Sequence, residues 1–225
     1  MRYVLIPIKE LTRAKQRLAD LMTQKERSAL AWLMLEHLFQ EVARARGYDR
    51  VAVITLDEAA AQLARRFHFE LIKETQQTSE SASVDYGSRI VGARGAGSVL
   101  RLPIDLPLIA AEDIENILAR INDQPATVIV PSRDETGTNA IVRTPPELFP
   151  SHFGPNSLAK HLAEARRCGV PCELIHLPRI ALDLDGPADL AYLLECGHRT
   201  SVNEFLQSLR IDERLALAAP CAEAL

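Results

Sequence analysis

The periodicity of apolar positions switches repeatedly along this chain, and the switches mark out its elements. Residues 2–8, Arg-Tyr-Val-Leu-Ile-Pro-Ile, form a continuous apolar run rich in branched side chains. That is the pattern of a strand buried on both faces. After a polar stretch, Leu30, Leu33, Met34, His37, Leu38 and Val42 recur at helical spacing, and the helix is expected to run to about Arg46. Thr23-Gln-Lys-Glu26 has the spacing of a capping box at its start, and Gly47 is a suitable stop. His37 falls on the apolar stripe and reads as a packed side chain rather than a catalytic one. Residues 51–55 and 69–73 are strand-like, and between them Asp57 caps a helix ending near Phe67. The order β-α-β-α-β predicts a parallel sheet covered by helices.

Farther along, residues 75–80 are polar and read as a loop. A helix is expected over 83–92, with Gly87 inside it, and Gly95 and Gly97 precede an apolar strand that ends at Pro103. A helix over 112–122, a strand over 126–131, a helix over 158–168 closed by Gly169, a strand over 172–177 and a helix over 188–195 follow. The chain then divides into a domain over 1–198 and a tail over 199–225. The tail carries Phe205, Leu206, Leu209 and Leu215 at amphipathic spacing, which suits a helix packed on the domain or on a second subunit, hence a possible homodimer.

With 225 residues, the chain is long enough for one sizeable α/β core. A formal net charge of -4 and 5% aromatic residues argue against a nucleic-acid partner. No apolar run approaches membrane-spanning length and the N-terminus has no apolar signal core, so no membrane partner and a cytoplasmic location are expected. Cys168, Cys172, Cys196 and Cys221 lack a metal-binding spacing and read as reduced thiols.

The candidate chemistry lies at element ends. Leu100-Arg-Leu-Pro-Ile-Asp-Leu-Pro-Leu108 puts Asp105 just past a strand end, where open α/β sheets collect ligands. Asp105 suits a metal ligand, and equally a turn between two prolines. Lys9, Arg13, Lys15 and Arg17 follow the first strand, a cluster suited to a polyphosphate or simply a solvated basic loop. No Walker sequence and no Gly-x-Gly-x-x-Gly is present. Gly137-Thr-Asn139 forms a tight turn into a strand, and Phe153-Gly-Pro-Asn-Ser157 opens a helix whose free amides suit an anion, with Lys160 and His161 in its first turn. In Leu182-Asp-Leu-Asp185 the two carboxylates point to the same side of an extended chain, where they repel unless a cation joins them. Asp185 could instead cap the next helix; Asp183 is too early to do so.

In this order the pieces resemble the 2-phospho-L-lactate guanylyltransferase family of deazaflavin coenzyme F(420) biosynthesis. The matching residues are Pro7-Ile-Lys9, Arg13-Ala-Lys15 with Arg17-Leu18, and Leu102-Pro-Ile-Asp-Leu-Pro-Leu108. Gly137-Thr-Asn-Ala140, Phe153-Gly154 with Ser157 and His161, and Leu182-Asp-Leu-Asp-Gly-Pro-Ala-Asp-Leu190 complete them. The resemblance implies an α/β three-layer sandwich: a mixed, mostly parallel central sheet of the glycosyltransferase-A-like nucleotidyltransferase type. It implies transfer of the guanylyl group of GTP to 2-phospho-L-lactate, phosphoenolpyruvate or 3-phosphoglycerate, with release of pyrophosphate. Carried across, Asp105, Asp183 and Asp185 hold Mg2+. Thr138, Gly154 and Ser157 bind the acid. Lys9, Lys15 and Arg17 act on the triphosphate, and Arg13, Ser83 and Asp105 contact the nucleotide. Where such proteins commonly have Gly-Leu-Asn-x-Ala-Leu, this chain has Ser81-Ala-Ser-Val-Asp-Tyr-Gly87, similar to a cytidylyltransferase pattern. The alternatives are therefore another nucleotide such as CTP, another acceptor, or a nucleotide-binding protein without catalysis.

Overall fold

Strand β1 (Arg2–Ile8) lies in the middle of the sheet, and Tyr3 to Ile8 are all buried. Its alternate side chains serve two cores. Val4, Ile6 and Ile8 join one apolar cluster and Tyr3 and Leu5 another, so both faces of the sheet must be covered. The computed structural model describes residues 1–11, 14–122 and 124–218. Among these, seven strands form one sheet in the order β3-β2-β1-β4-β6-β5-β7. The other strands are β2 (Arg50–Thr55), β3 (Glu70–Ile72), β4 (Ser98–Arg101), β5 (Ala126–Pro131), β6 (Thr138–Thr144) and β7 (Cys172–Leu174). Every pairing is parallel except the two made by β6, which runs antiparallel to β4 and β5.

Helices α1 (Gln24–Arg44), α2 (Glu58–Arg66) and α4 (Ala111–Leu118) cover the face of Val4 and Ile6. Helix α3 (Glu80–Ala93) covers the opposite face over β1, β2 and β4, and α5 (Ser157–Cys168) covers it over β5 and β6. This is the mixed, mostly parallel three-layer arrangement that the resemblance implies. Gly87 lets α3 approach the sheet closely: a Cβ there would lie 3.0 Å from the Leu5 methyl carbons. A glycine inside a helix costs about 1 kcal/mol against alanine, and here close packing is the compensation.

Several boundaries shift from the sequence pattern. Helix α3 starts at Glu80 instead of residue 83, because the Ser79 hydroxyl accepts from the Ala82 amide at 3.1 Å. What reads as a polar loop is therefore partly a cap and first turn. The strand expected over 172–177 stops at Leu174, and the short helix α6 (Pro178–Ala181) follows, with proline in its first turn. The helix expected over 112–122 ends at Leu118, and β4 ends at Arg101. The capping box of α1 is present, with Thr23 and Glu26 bonded reciprocally. His37 binds the Ile109 carbonyl oxygen at 2.9 Å, a packing role. Cys168, Cys172 and Cys196 are free, and Cys221 lies outside the described residues. Among the described residues no helix is long and apolar enough to cross a membrane.

After α7 (Pro187–Glu195), the tail forms α8 (Ser201–Ser208) and α9 (Ile211–Ala218). Val202, Leu206 and Ile211 share an apolar cluster with Leu30, Met34, Leu190 and Leu193. Arg214 donates to both Glu26 oxygens, at 2.9 and 3.0 Å, and to the Leu21 carbonyl. The Arg214 hydrogen bond chiefly, and the Thr23 contacts with it, hold the Glu26 carboxyl down to about 2. A depressed carboxyl stabilises the fold above its ordinary value, and that contribution is lost as pH falls toward the folded value. Glu26→Gln should therefore lower Tm by about 2 °C or more at pH 7 and lose the difference from wild type near pH 2. Thermal melts across that range check it; an equal difference at both pH values would contradict the linkage.

Candidate active site

The site lies at the carboxyl ends of β1 and β4, where their parallel alignment leaves a crevice. The Asp105 loop follows β4 directly. Its carbonyl oxygen accepts from the Leu184 amide at 3.0 Å, tying the loop to the segment before α7. In that segment Leu182 and Leu184 are buried in the core, while Asp183 and Asp185 line a cavity. The period-2 alternation Leu-Asp-Leu-Asp thus sets two carboxylates on either side of the residue that clasps Asp105. Asp185 does not cap α7. Asp189 does so instead, accepting from the Asp185 and Gly186 amides at 3.1 and 2.8 Å.

Lys15 enters from the basic loop. Its ammonium donates to Asp105 Oδ2 and Asp185 Oδ1, both at 3.1 Å, and its side chain is only 6% exposed. Burial alone would lower its pKa, but Asp105 and Asp185 outweigh burial and raise it. The Lys15 backbone is left-handed, φ 55° and ψ 42°, a conformation that L residues other than glycine rarely hold. Such local strain accumulates at functional sites. Arg17 lies 3.8 Å from Asp185 and is largely exposed.

Burial opposes ionisation of Asp105, yet Lys15 and then Arg101 keep its pKa below the ordinary range. Asp183 goes the other way. Burial raises its pKa, and the nearby charges of Asp105 and Asp185 raise it further against a hydrogen bond from Asn139 and one from backbone. The Asn139 bond, from Nδ2 at 3.1 Å, comes from a neutral amide. No cation among the described residues is ion-paired to Asp183.

Two cavities, of about 560 and about 530 Å³, open on either side of this cluster. The first is lined by Lys9, Lys15, Arg17, Gln77, Ser83 and Asp105 among others. The second is lined by Thr138, Asn139, Gly154, Ser157, Asp183 and Asp185, with Arg101 and Arg133. Both share Arg17, Glu80, Pro103, Asp105 and Asp185, so they meet at the carboxylates. Ten of the sequence candidates thus lie on two adjoining chambers; Arg13 lies outside the described residues. Ser83 is committed to the protein, donating to Glu74 at 2.9 Å.

In the second chamber Gly154 has φ 108°, open only to glycine without strain. The helix start behind it is less vacant than the sequence implies. The Ser157 amide bonds to the Gly154 carbonyl at 3.1 Å and the Leu158 amide to the Thr136 carbonyl at 3.2 Å. An anion there depends on side-chain donors as well as amides. Arg101 is a residue that the sequence reading passes over. It is buried, donates to the carbonyls of Thr138 and Asn139, pairs with Glu80, and lies 4.1 Å over the Phe153 ring. Its signal in the sequence is an arginine ending an otherwise apolar strand beside the aspartate loop.

The donor set fits a magnesium ion in the usual protein mode, with one or two carboxylates completed by water and substrate phosphates. Among the described residues no three His, Cys, Asp or Glu side chains form a metal cage by themselves. Asp183, half-buried and without an ion pair among the described residues, is the carboxylate of the three most in need of a cation.

The fold is shared with solved nucleotidyltransferase structures. A nucleotidyl transferase from Methanothermobacter thermautotroptrophicus superposes with a TM-score of 0.62, at 14% identity, covering 92% of this chain and 99% of that one. A Desulfovibrio desulfuricans protein assigned as a nucleotide-diphospho-sugar transferase superposes at 0.77, with 15% identity over 96% of this chain and 97% of that one. The family model "Guanylyl transferase CofC like" matches residues 1–219, and the chain belongs to that family. It is 35% identical to the phosphoenolpyruvate guanylyltransferase of Rubrobacter xylanophilus, over 87% of this chain and 94% of that protein. The enzyme of the same name from Conexibacter woesei is 32% identical over 86% of this chain and 87% of that protein.

Proposed function

We propose that this protein transfers GMP from GTP to phosphoenolpyruvate, or to the kindred 2-phospho-L-lactate or 3-phosphoglycerate, and releases pyrophosphate. The reaction belongs to deazaflavin coenzyme F(420) biosynthesis, in the cytoplasm, with Mg2+ as cofactor. The observation that carries this reading is the meeting of two chambers at Asp105 and Asp185, which Lys15 bridges from the first of them. Two anionic substrates can approach from opposite sides and touch only there. Relatives named phosphoenolpyruvate guanylyltransferase support GTP as the nucleotide and phosphoenolpyruvate as the acid.

The attacking atom is a phosphate oxygen of the acid, already ionised at neutral pH, so no side-chain base is required. The barrier is the approach of one anion to another. Lys9, Lys15 and Arg17 line the triphosphate side and oppose the charge that grows on departing pyrophosphate. Thr138, Gly154 and Ser157 hold the acid for in-line attack, which converts a bimolecular encounter into an oriented one. Asp183, with Asp105 or Asp185, would hold the magnesium ion, and the chemistry it would supply there is Lewis-acid neutralisation of phosphate charge.

The test is a panel of GTP, CTP, ATP and UTP, each with magnesium and each acid, followed by pyrophosphate release. Release with GTP and phosphoenolpyruvate at rates far above the other pairs is expected. Equal or faster release with CTP would transfer the reading to a cytidylyltransferase, and binding without release would make this a nucleotide-binding protein. Within the same assay Thr138→Val should raise KM for the acid about tenfold, the weight of one hydrogen bond to a charged group, and leave KM for GTP unchanged.

A further inference from the structure

Beneath the second chamber lies a histidine that contacts neither cavity. His161 is wholly buried. Its ring is packed by Phe153 at 5.1 Å, His152 at 6.1 Å and Phe149 at 6.3 Å between centroids. Both ring nitrogens have partners. The His152 backbone amide donates to Nε2 at 2.9 Å, and Thr138 Oγ1 lies 3.0 Å from Nδ1.

The first of these contacts fixes the second. A backbone amide can only donate, so Nε2 must present a lone pair. A neutral imidazole carries one proton, which then sits on Nδ1. Nδ1–H therefore donates to Thr138 Oγ1, and the threonine oxygen is an acceptor in that bond. Its own hydrogen is left to point elsewhere, and Thr138 lines the acid chamber. The threonine backbone is held as well, since Arg101 donates to the Thr138 carbonyl at 3.2 Å. Burial, and then the charges of His152, Arg143 and Arg101, push the His161 pKa down to about 3, in keeping with a neutral ring.

We propose that His161 is a positioning residue that sets the hydrogen-bond polarity of Thr138, leaving its hydroxyl hydrogen free to donate into the chamber and so favouring an anionic oxygen of the acid. The inference rests on the assignment of the second chamber to the acid substrate. His161 touches no substrate itself; it keeps the Thr138 hydrogen from being spent on the ring nitrogen, so that hydrogen stays available to a ligand. A chamber built for an uncharged hydroxyl acceptor would not need this bias.

Two measurements test it. A long-range proton–nitrogen correlation spectrum of histidine-labelled protein reads which ring nitrogen carries the proton, without any substrate. The His161 signal is identified by its absence in His161→Asn. A proton on Nδ1 is expected; a proton on Nε2, or on both, at pH 7 overturns the proposal even if guanylyl transfer stands. The second measurement is steady-state kinetics. His161→Gln and His161→Leu should raise KM for the acid about tenfold with KM for GTP unchanged. His161→Asn, whose amide can reach the Nδ1 position, should stay within about threefold of wild type. Equal changes in both KM values, or lower thermal stability with both KM values unchanged, would mean a packing role only. Wild-type protein inactive with every acid would instead reject the proposed function, leaving the spectrum to decide the tautomer.

Discussion

Asp183→Asn is expected to lose about a thousandfold in kcat while melting at the same temperature as wild type or higher. The rate loss follows from removing the aspartate of the three that forms no ion pair among the described residues, and so the one best placed to hold magnesium; single electrostatic groups at reacting centres are worth about 100- to 1000-fold. The gain in stability follows from the sign of its pKa shift. Burial, with Asp105 and Asp185, raises the folded value above the unfolded one. Between those two values the folded state binds more protons, so stability falls as pH rises through the window, and at pH 7 the ionised side chain is a net cost. Asparagine removes the charge and keeps the oxygen that accepts from Asn139 Nδ2 at 3.1 Å. Kinetics at saturating magnesium and a melting curve at pH 7 check the pair of effects. Near-normal turnover would reject the metal role, and a large fall in Tm would show that the charge is compensated after all.

Lys15→Ala should lose a comparable factor, about 100- to 1000-fold in kcat, but with the opposite effect on stability. Its ammonium is nearly enclosed and bridges Asp105 and Asp185 at 3.1 Å each. Breaking a buried pair leaves the partner charges unopposed at about 3–5 kcal/mol. Asp185 is half exposed and Asp105 a quarter exposed, so about 2 kcal/mol is the expected loss. The pH dependence has two limbs. The Lys15 pKa is raised, so its contribution is complete below the ordinary lysine value and disappears as pH rises through the folded value. The Asp105 pKa is depressed, so its contribution holds above the ordinary carboxylate value and disappears as pH falls through the folded one. Denaturant melts of wild type and variant, compared at pH 7 and stepwise below the ordinary carboxylate value, should therefore converge as pH falls. A variant as stable as wild type at pH 7 would show that the bridge contributes nothing to the fold.

Much of this site is legible from local pattern. The Leu-Asp-Leu-Asp alternation and the proline-bounded Asp105 loop are short-range consequences of strand geometry and of proline's missing amide, and Lys15 and Arg17 stand out as charges straight after a buried strand. What local pattern does not carry is pairing between distant segments. The antiparallel insertion of β6 between β4 and β5 depends on contacts across about forty residues, which no window of sequence contains. The bridge from Lys15 to Asp105 and Asp185 spans 90 and 170 residues. Arg101 and His161 were harder for another reason. Arg101 looks like an ordinary member of its strand, and His161 reads as a flank of the anion site although it is buried behind it; the role of each appears only when Phe153 is seen to touch both. At the helix start near Ser157, composition suggested vacant amides, whereas nearby carbonyls already take two of them.

The central claim is that nucleotide and acid occupy separate chambers and meet at the carboxylates. It is tested most directly by a crystal structure with magnesium, phosphoenolpyruvate and a GTP analogue that resists transfer. The predicted result has the base and triphosphate along Gln77, Ser83 and Lys9, the α-phosphate beside Asp105, and the acid over Thr138 and Ser157. Both ligands in one chamber, or a nucleotide bound away from Asp105 and Asp183, would contradict it.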